Sequence, residues 1–201
     1  MPELPEVEII KNELSPWVVG QRFDQISVLD SQLIYQLPAP EFCRRLTGQS
    51  IESISRRGKY LIFQLSSAQY LVMHLRMSGT LLLNPKEIRP YTRASFTFSN
   101  DNQLVFNDQR RLGIIWLVEN IAPIIGKLGP EPLDKDFTAN VLSQRLSKHH
   151  IPIKVALVDQ SLIAGIGNMY ADEILFASRI HPLRTTDSLS SREIQDIHSF
   201  I

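Results

Sequence analysis

Six strand-like runs follow one another through the first 118 residues of this 201-residue chain, and we identify no helical pattern between them. Short successive strands without helices between them pair as antiparallel neighbours, because a parallel pair needs a crossover of a dozen residues or more. The residues Ser99, Asn100, Asp101 and Asn102 lie between two runs and favour a hairpin turn. The pattern therefore predicts antiparallel sheets that form a sandwich or a barrel. The runs span residues 22–29, 51–65, 70–83, 94–99, 103–107 and 113–118.

A helical pattern precedes these runs. Pro5 suits the first position of a helix, and acidic residues follow it in the first turn, where they complement the helix dipole. Val7, Ile10 and Leu14 then repeat at helical spacing until Pro16. The sequence predicts a leading helix that ends at Pro16.

The pattern changes again after residue 120. Residues 121–133 contain three prolines and two glycines, which is typical of a linker. Apolar residues then recur at helical spacing, and Ser190 and Glu193 have the spacing of a capping box. We expect a β-sandwich domain over residues 1–120, a linker over 121–133 and an all-α domain over 134–201, hence an α+β chain. The predicted helices span residues 137–149, 153–159, 168–180 and 191–201.

Charge is distributed unevenly along the chain. Its 21 basic and 21 acidic residues give a net charge of zero, which excludes a uniformly basic surface. Residues 44–111 nevertheless hold eleven bases, nine of them arginines, against four acids. One such face is enough to bind a phosphate backbone, although a β surface with scattered ion pairs has the same composition. Cys43 is the single cysteine, so an internal disulfide and a four-cysteine zinc site are excluded, as is a membrane span for lack of a long apolar run.

The first six residues, MPELPE, are suited to covalent chemistry. A small second residue permits removal of Met1, which leaves Pro2 as a secondary amine at the chain terminus. An α-amine has a pKa of about 8, against about 10.4 for lysine, so more of it is uncharged and able to form a Schiff base. Glu3 and Glu6 lie within one helical turn and can act as acid, base or orienting group. A plain helix start with dipole-compensating acids has the same residues.

Six blocks, in order over nearly the whole chain, resemble the formamidopyrimidine-DNA glycosylase family. They are MPELPEVE at residues 1–8, RRGKYL at 56–61, HLRMSG at 74–79, DQRRLG at 108–113, LGPEPL at 128–133 and AGIGNMYADE at 164–173. The resemblance implies a β-sandwich catalytic domain followed by a helix–two-turn–helix domain. It also implies a bifunctional glycosylase and abasic-site lyase that excises oxidised purines, such as 8-oxoguanine and formamidopyrimidines, from damaged double-stranded DNA. No metal or diffusible cofactor takes part in that chemistry.

The resemblance assigns four catalytic residues. Pro2 is the nucleophile at the sugar C1′ of a flipped-out nucleotide, and its imine leads to β- and then δ-elimination. Glu3 is the general acid and base, and Glu6 supports the site. Lys59 reaches the phosphates beside the lesion. Taken alone, a lysine after two arginines is more often a solvated charge on a strand.

Further residues are assigned to DNA binding. Met77 and Leu112 are wedges for the gap left by the flipped base, and Arg110 bonds the orphaned opposite base, with Arg111 beside it. Leu112 and Gln109 depart from the phenylalanine and proline usual in the family. Outside the motif, Met77 and Leu112 would be ordinary core residues.

Four more positions are expected to contact phosphate. Tyr91 and His149 stand where the family often has histidine and lysine, and Arg93 supplies charge near Tyr91. Asn168, after two glycines, is expected to cap a helix and donate to a phosphate. Plain surface residues and a plain helix hairpin are the alternatives. His74 is interpreted as structural.

The chain also departs from the family at its end. The last helix is apolar and lacks a terminator, so we expect a chain cut from something longer, without the family's four-cysteine zinc finger and lesion-covering loop. Two alternatives stay open: an endonuclease VIII-like enzyme for oxidised pyrimidines, and a lesion-binding module with little turnover. We expect a monomer without membrane association in a bacterial-type cytoplasm, near the nucleoid.

Overall fold

A computed structural model of the chain describes residues 2–87 and 89–201. The chain divides into two compact units, Met1–Pro123 and Ile124–Ile201. Among the described residues, no helix has the length and hydropathy needed to cross a membrane. The predicted removal of Met1 concerns a residue outside the described ones.

Two four-stranded antiparallel sheets form the first unit. One sheet has the order β1-β6-β7-β5 and the other the order β2-β3-β4-β8. Large apolar side chains from both sheets share one core, in which Phe23 packs against Phe96 and Phe98. This arrangement confirms the expected α+β fold with an N-terminal sandwich. The strands are β1 (Phe23–Val28), β2 (Ile51–Arg57), β3 (Tyr60–Leu65), β4 (Tyr70–His74), β5 (Gly79–Leu83), β6 (Thr92–Phe98), β7 (Gln103–Asp108) and β8 (Ile114–Val118).

Helices complete the first unit. Helix α1 (Leu4–Val18) leads the chain, a 3₁₀ turn (Ser31–Leu33) follows β1, and α2 (Ala39–Leu46) precedes β2. Helix α3 (Ala122–Ile125) follows β8 and contains the boundary between the two units. Helix α1 continues past Pro16, so the expected end of the helix there is wrong. Leu14 and Val18 lie on its buried side, and their burial outweighs the hydrogen bond that a proline removes.

Two of the expected runs are each divided into two strands. Run 51–65 turns at Gly58 and Lys59, where Gly58 has a positive φ of 55° and Arg57 pairs with Tyr60. Run 70–83 breaks after His74, and the chain passes from one sheet to the other before β5 begins. Helix α2, absent from the sequence prediction, buries its apolar face against the same core. The hairpin expected at residues 99–102 joins β6 and β7.

Four helices pack around the core of the second unit: α4 (Ala139–Leu146), α5 (Ile153–Val158), α6 (Asn168–Ala177) and α7 (Ser191–Phe200). The capping box expected of Ser190 and Glu193 begins α7. The segment expected to be a linker contributes to this unit, since Gly129 donates to the carbonyl of Gln160 at 2.8 Å. A Cβ at Gly129 would lie 2.5 Å from the carbonyl oxygen of Leu162, so only glycine fits there without rearrangement.

Candidate active site and nucleic-acid interface

The antiparallel register brings four connections to one end of the sandwich. Tyr60, at the start of β3, pairs with His74 at the end of β4, and His74 pairs with Ile114 at the start of β8. In the other sheet, Gly79 pairs with Asp108. The β2–β3 turn, the β4–β5 connection, the entry to β6 and the β7–β8 connection therefore share this end. The first-unit residues expected from sequence that lie on these connections are Lys59, Met77, Tyr91, Arg110, Arg111 and Leu112.

The start of α1 is fixed by a reciprocal capping box. The Glu3 N–H donates to Glu6 Oε2 at 2.9 Å, and the Glu3 side chain accepts from the Glu6 N–H. Glu3 is only 1% exposed, whereas Pro2 before it is half-buried. The box satisfies free N–H groups of the first turn and holds the peptide that follows Pro2. A buried carboxyl group thus lies next to the residue expected to be the nucleophile.

Arg56 ties α1 to the β2–β3 turn. Its Nε donates to Glu8 Oε2 on α1 at 2.7 Å, and its Nη1 donates to the carbonyl of Gly58 at 2.9 Å. The Arg56 side chain is almost fully buried, so these charge-assisted bonds are shielded from solvent. The arginine therefore sets the position of the Lys59 turn relative to the N-terminal helix.

Lys59 is a buried cation at this turn, with 7% of its surface exposed. Burial lowers the pKa of Lys59, because a charged ammonium is costly away from water, and the nearby Glu3 carboxyl opposes the shift. Lys59 and Glu3 are thus electrostatically coupled. Glu3 and Lys59, which the resemblance assigns to one catalytic centre, are therefore close enough for the charge of one to affect the other.

His74 lies next to this pair and is neutral. Burial lowers its pKa to about 3, with further lowering from the charges of Arg76 and Lys59. Its Nδ1 accepts from the Arg76 N–H at 3.0 Å, and the Tyr60 ring packs edge-on at 4.6 Å between centroids. These contacts agree with a structural role for His74.

Two connections between the sheets present the expected wedge residues. We call residues 75–78 the Met77 corner and residues 109–113 the Leu112 corner. Met77 is 47% exposed and Leu112 is 40% exposed, although both are apolar. The Arg110 side chain is exposed as well. The structure therefore brings these three residues together at the solvent-facing end, and neither apolar side chain is a core residue.

Asp108 joins the two corners. It is fully buried, and its carboxylate accepts a hydrogen bond from the Ser78 hydroxyl in the Met77 corner. It also accepts from the backbone N–H groups of Arg110, Leu112 and Gly113 at 3.1, 2.8 and 2.7 Å. Burial alone would raise the pKa of Asp108, but these four hydrogen bonds hold it below its ordinary value. The carboxylate is therefore ionised at neutral pH.

Arg93 and Arg111 meet at Asp30. Arg93 Nε donates to the Asp108 carbonyl at 2.7 Å and lies 3.9 Å from Asp30, with most of the side chain buried. Arg111 Nε lies 3.1 Å from Asp30, but more than half of its side chain is exposed. Tyr91 is exposed, and its carbonyl accepts from the Asp108 N–H. Arg93 thus holds the end of β7, and its expected contact with DNA stays a prediction.

The second unit contains the glycine-rich turn before α6. Gly165 has a positive φ of 89°, which glycine adopts at little cost. Gly167 occupies the N-cap position and Asn168 is the first helical residue, so the expectation that Asn168 is the cap is wrong. Asn168 is exposed at a helix N-terminus, where free N–H groups favour an anion.

Gln160 braces this turn through its side-chain amide. Its Oε1 accepts from the Gly165 N–H at 3.0 Å, and its Nε2 donates to the carbonyls of Ile166 and Val158 at 2.7 and 2.9 Å. His149 is one of the residues expected to contact phosphate. It lies close enough to Asp159 to help lower the pKa of that carboxyl, although the hydrogen bond from the Ser161 hydroxyl lowers it most. The glycine-rich turn is thus held by a neighbouring amide group.

Sequence reasoning missed Ser78, Asp108 and Gln160 as organising residues. Asp108 and Ser78 lie in two of the motif blocks, but their contact joins positions 30 residues apart, and no local spacing indicates it. The only available signal was an acid at the end of an apolar strand. Gln160 had no such signal.

The chain offers no cysteine set for zinc. Cys43 is its single cysteine. Among residues 2–87 and 89–201, no three His, Cys, Asp or Glu side chains are gathered closely enough to hold a metal ion. The residues present therefore do not fit the zinc site of the family.

Comparison with known proteins connects this arrangement to one family. The formamidopyrimidine-DNA glycosylase N-terminal domain matches residues 1–115, and the H2TH domain of the same family matches residues 128–201. The formamidopyrimidine-DNA glycosylase of Symbiobacterium thermophilum is 43% identical, with all of this chain and 68% of that protein aligned. The Listeria innocua enzyme of the same name is 41% identical, over 98% of this chain and 74% of its own.

Solved structures agree with the sequence relatives. The Lactococcus lactis formamidopyrimidine-DNA glycosylase, bound non-covalently to DNA containing an abasic site, superposes with a TM-score of 0.90 at 34% identity, covering 98% of this chain and 78% of that chain. The same enzyme in complex with Fapy-dG-containing DNA gives a TM-score of 0.90 at 34% identity, over 98% and 76%. The sequence matches, the fold and the placement of the motif residues lead to one conclusion: this chain belongs to the formamidopyrimidine-DNA glycosylase family.

Proposed function

We propose that this chain is a DNA glycosylase and abasic-site lyase that removes oxidised purines through a Schiff base on Pro2. The observation that carries the proposal is the placement of half-buried Pro2 directly before buried Glu3, with the buried Lys59 cation electrostatically coupled to Glu3. A neutral amine beside a buried acid and a cation is the combination that imine chemistry on a sugar phosphate needs. The relatives described above are named formamidopyrimidine-DNA glycosylases, and the complexes of one of them with DNA support DNA as the partner of this chain.

The covalent steps assign a task to each residue. The Pro2 nitrogen forms a bond to C1′ as the glycosidic bond breaks, and the proton that the amine gives up goes to the departing purine. Glu3 supplies a proton to the sugar oxygen as the ring opens, and an iminium remains. Loss of a proton from C2′ then expels the 3′ phosphate, and a second elimination expels the 5′ phosphate. Lys59 stabilises the phosphate charge beside the reacting sugar.

The DNA-binding surface follows from the same end of the sandwich. Met77, Leu112 and Arg110 occupy the gap that a flipped nucleotide leaves, because extruding a base costs a few kcal/mol of stacking. In the second unit, Asn168 and the N-terminus of α6 bind a phosphate. Damaged double-stranded DNA is the proposed substrate, with the protein a monomer beside a bacterial-type nucleoid.

Borohydride reduction of a mixture with an abasic-site duplex tests the covalent step. We expect a stable protein–DNA adduct with the parent protein and none with Pro2→Leu, whose bulky second residue also retains Met1. Glu3→Gln is expected to slow adduct formation strongly, whereas Glu13→Gln, on an exposed position of the same helix, leaves it unchanged. Duplex binding without any adduct would show a lesion-binding module instead.

A second comparison addresses the lesion. Duplexes carrying 8-oxoguanine and an oxidised pyrimidine differ only in the base to be released. Faster release of the oxidised purine is expected, and faster release of the pyrimidine would place the chain with endonuclease VIII-like enzymes.

A further inference from the structure

The two wedge-bearing corners share one buried anchor. The Ser78 hydroxyl of the Met77 corner and three backbone N–H groups of the Leu112 corner all donate to the carboxylate of Asp108. The Arg110 N–H also donates to Ser78 Oγ at 3.1 Å, so the corners are bonded to each other as well as to Asp108. Each corner contains an exposed wedge residue, and both corners are bonded to Asp108 inside the sandwich.

We infer that Asp108 is a positioning residue that fixes the two corners to each other, so that Met77 and Leu112 enter the DNA stack as one body. The inference rests on the proposed function, since the side chains act as wedges only in an enzyme that extrudes a base. Asp108 is fully buried and bonds to both corners, so its effect passes through them.

The ionised carboxylate is what suits this role. Four donors surround its two oxygens, and an ionised aspartate is acceptor-only, so every contact is satisfied. An asparagine of the same shape would turn its NH2 group either towards the Arg110 N–H or towards the Leu112 and Gly113 N–H groups, and would lose at least one hydrogen bond in either orientation. Below the carboxylate, the Asp108 carbonyl accepts from Arg93, which fixes the residue itself.

Coupling matters because the corners carry unusual backbone. Arg76 and Arg111 have positive φ values of 54° and 57°, a conformation that costs a non-glycine residue energy unless its surroundings impose it. Without the Ser78 hydroxyl, the Met77 corner loses its hydrogen bonds to Asp108 and to the Arg110 N–H of the Leu112 corner. A wedge that relaxes loses part of the energy needed to separate stacked bases.

The test compares a duplex with a strand that needs no unstacking. Single-turnover excision of 8-oxoguanine from a duplex requires both wedges, whereas borohydride trapping on a single-stranded abasic oligonucleotide does not. We expect Ser78→Ala to slow duplex excision about tenfold and to change single-strand trapping less than twofold. Ser78→Thr, which keeps the hydroxyl, is expected to restore most of the duplex rate. Thr80→Val is the control and is expected to have no effect. It removes a hydroxyl that donates to the carbonyl of Asn107, the residue before Asp108.

Fluorescence of 2-aminopurine beside the lesion reports wedge insertion without chemistry. The fluorescence rise is expected to slow in Ser78→Ala and in Asp108→Asn, and the two effects are expected to be less than additive in the double variant, since both changes act on the Ser78–Asp108 contact. Equal losses on duplex and single strand, or an unchanged duplex rate and fluorescence rise in Ser78→Ala, overturn the inference.

The two proposals fail in different ways. If the parent protein forms no adduct with any substrate, the proposed function fails, while the fluorescence rise still tests the coupling. If the parent protein gives no fluorescence rise on a lesion duplex that it binds, the coupling fails, while adduct formation still tests the proposed function.

Discussion

Replacing Gln160 tests how the second unit holds its glycine-rich turn. Gln160→Ala removes three hydrogen bonds, to the Gly165 N–H and to the carbonyls of Ile166 and Val158. Each such bond is worth about 1 kcal/mol, and water can reach this half-buried side chain and replace part of the loss. We therefore expect the turn to be destabilised by about 2 kcal/mol, which is roughly a 30-fold change in its opening equilibrium.

Amide hydrogen exchange of Gly165 measures that opening directly. Exchange is expected to accelerate roughly 30-fold in Gln160→Ala and to be unchanged in Gln195→Ala, which alters an exposed glutamine on α7. Gln160→Glu adds a second arm. Its carboxylate still accepts from the Gly165 N–H but cannot donate to the two carbonyls, so exchange at neutral pH is expected to be faster than in the parent protein, and protonation at acidic pH restores one donor.

The same variant tests the proposed phosphate contact. If the turn presents the N-terminus of α6 to DNA, duplex affinity falls together with Gly165 protection. Gly165 exchange within twofold of the parent value in Gln160→Ala would refute the bracing role, because the loss of these three hydrogen bonds to backbone groups is expected to open the turn.

Three further substitutions address other contacts. Arg56→Lys keeps the charge but cannot bond both Glu8 and the turn carbonyl, so we expect a loss of about 1–2 kcal/mol in urea unfolding and slower Schiff-base trapping. Gly79→Ala places a Cβ 2.4 Å from the Leu75 carbonyl oxygen and is expected to cost about 1–3 kcal/mol in the same assay. Hydrogen bonds from the Ser190 backbone, then from Arg184, lower the pKa of Glu193 to about 2 from 4.5. Since its folded pKa is depressed, its stabilisation is present above pH 4.5 and is lost as the pH falls towards 2, so the urea midpoint of Glu193→Gln should decline less over that range.

Matched controls separate these effects from general damage. Arg44→Lys and Glu41→Gln alter an exposed ion pair on α2 and are expected to leave stability nearly unchanged. Thr80→Ala is the control for Gly79→Ala, because it changes the next residue of β5 without placing a new atom beside the Leu75 carbonyl. A control that loses as much stability as its partner would contradict the contact assigned to that partner.

Local patterns in the sequence were sufficient for most of the fold. Alternating strand-like runs and the turn at residues 99–102 predicted antiparallel sheets, and the capping box of Ser190 predicted the start of α7. The end of α1 was not predictable in this way, because Pro16 is a local signal and the burial of Val18 is a tertiary one. Helix α2 is short, and only its packing against the sandwich shows that its few apolar residues form one face.

In the candidate site, too, the sequence predicted residue types but not the contacts between distant segments. Lys59, Met77 and Leu112 were found from motif blocks, which record residue types but not contacts. Burial of Lys59 and the hydrogen bonds of Asp108 depend on strands far apart in sequence, so neither could be read from spacing. Asn168 was placed correctly at the start of α6, and its cap role was wrong by one residue.

Both corners at the wedge end run from one sheet to the other: β4 and β5 belong to different sheets, and so do β7 and β8. A force on Met77 or Leu112 is therefore divided between two hydrogen-bonded layers rather than falling on a single edge strand. In the proposed wedge role of Met77 and Leu112, a duplex that resists insertion would therefore press on both sheets and on the apolar core that they share.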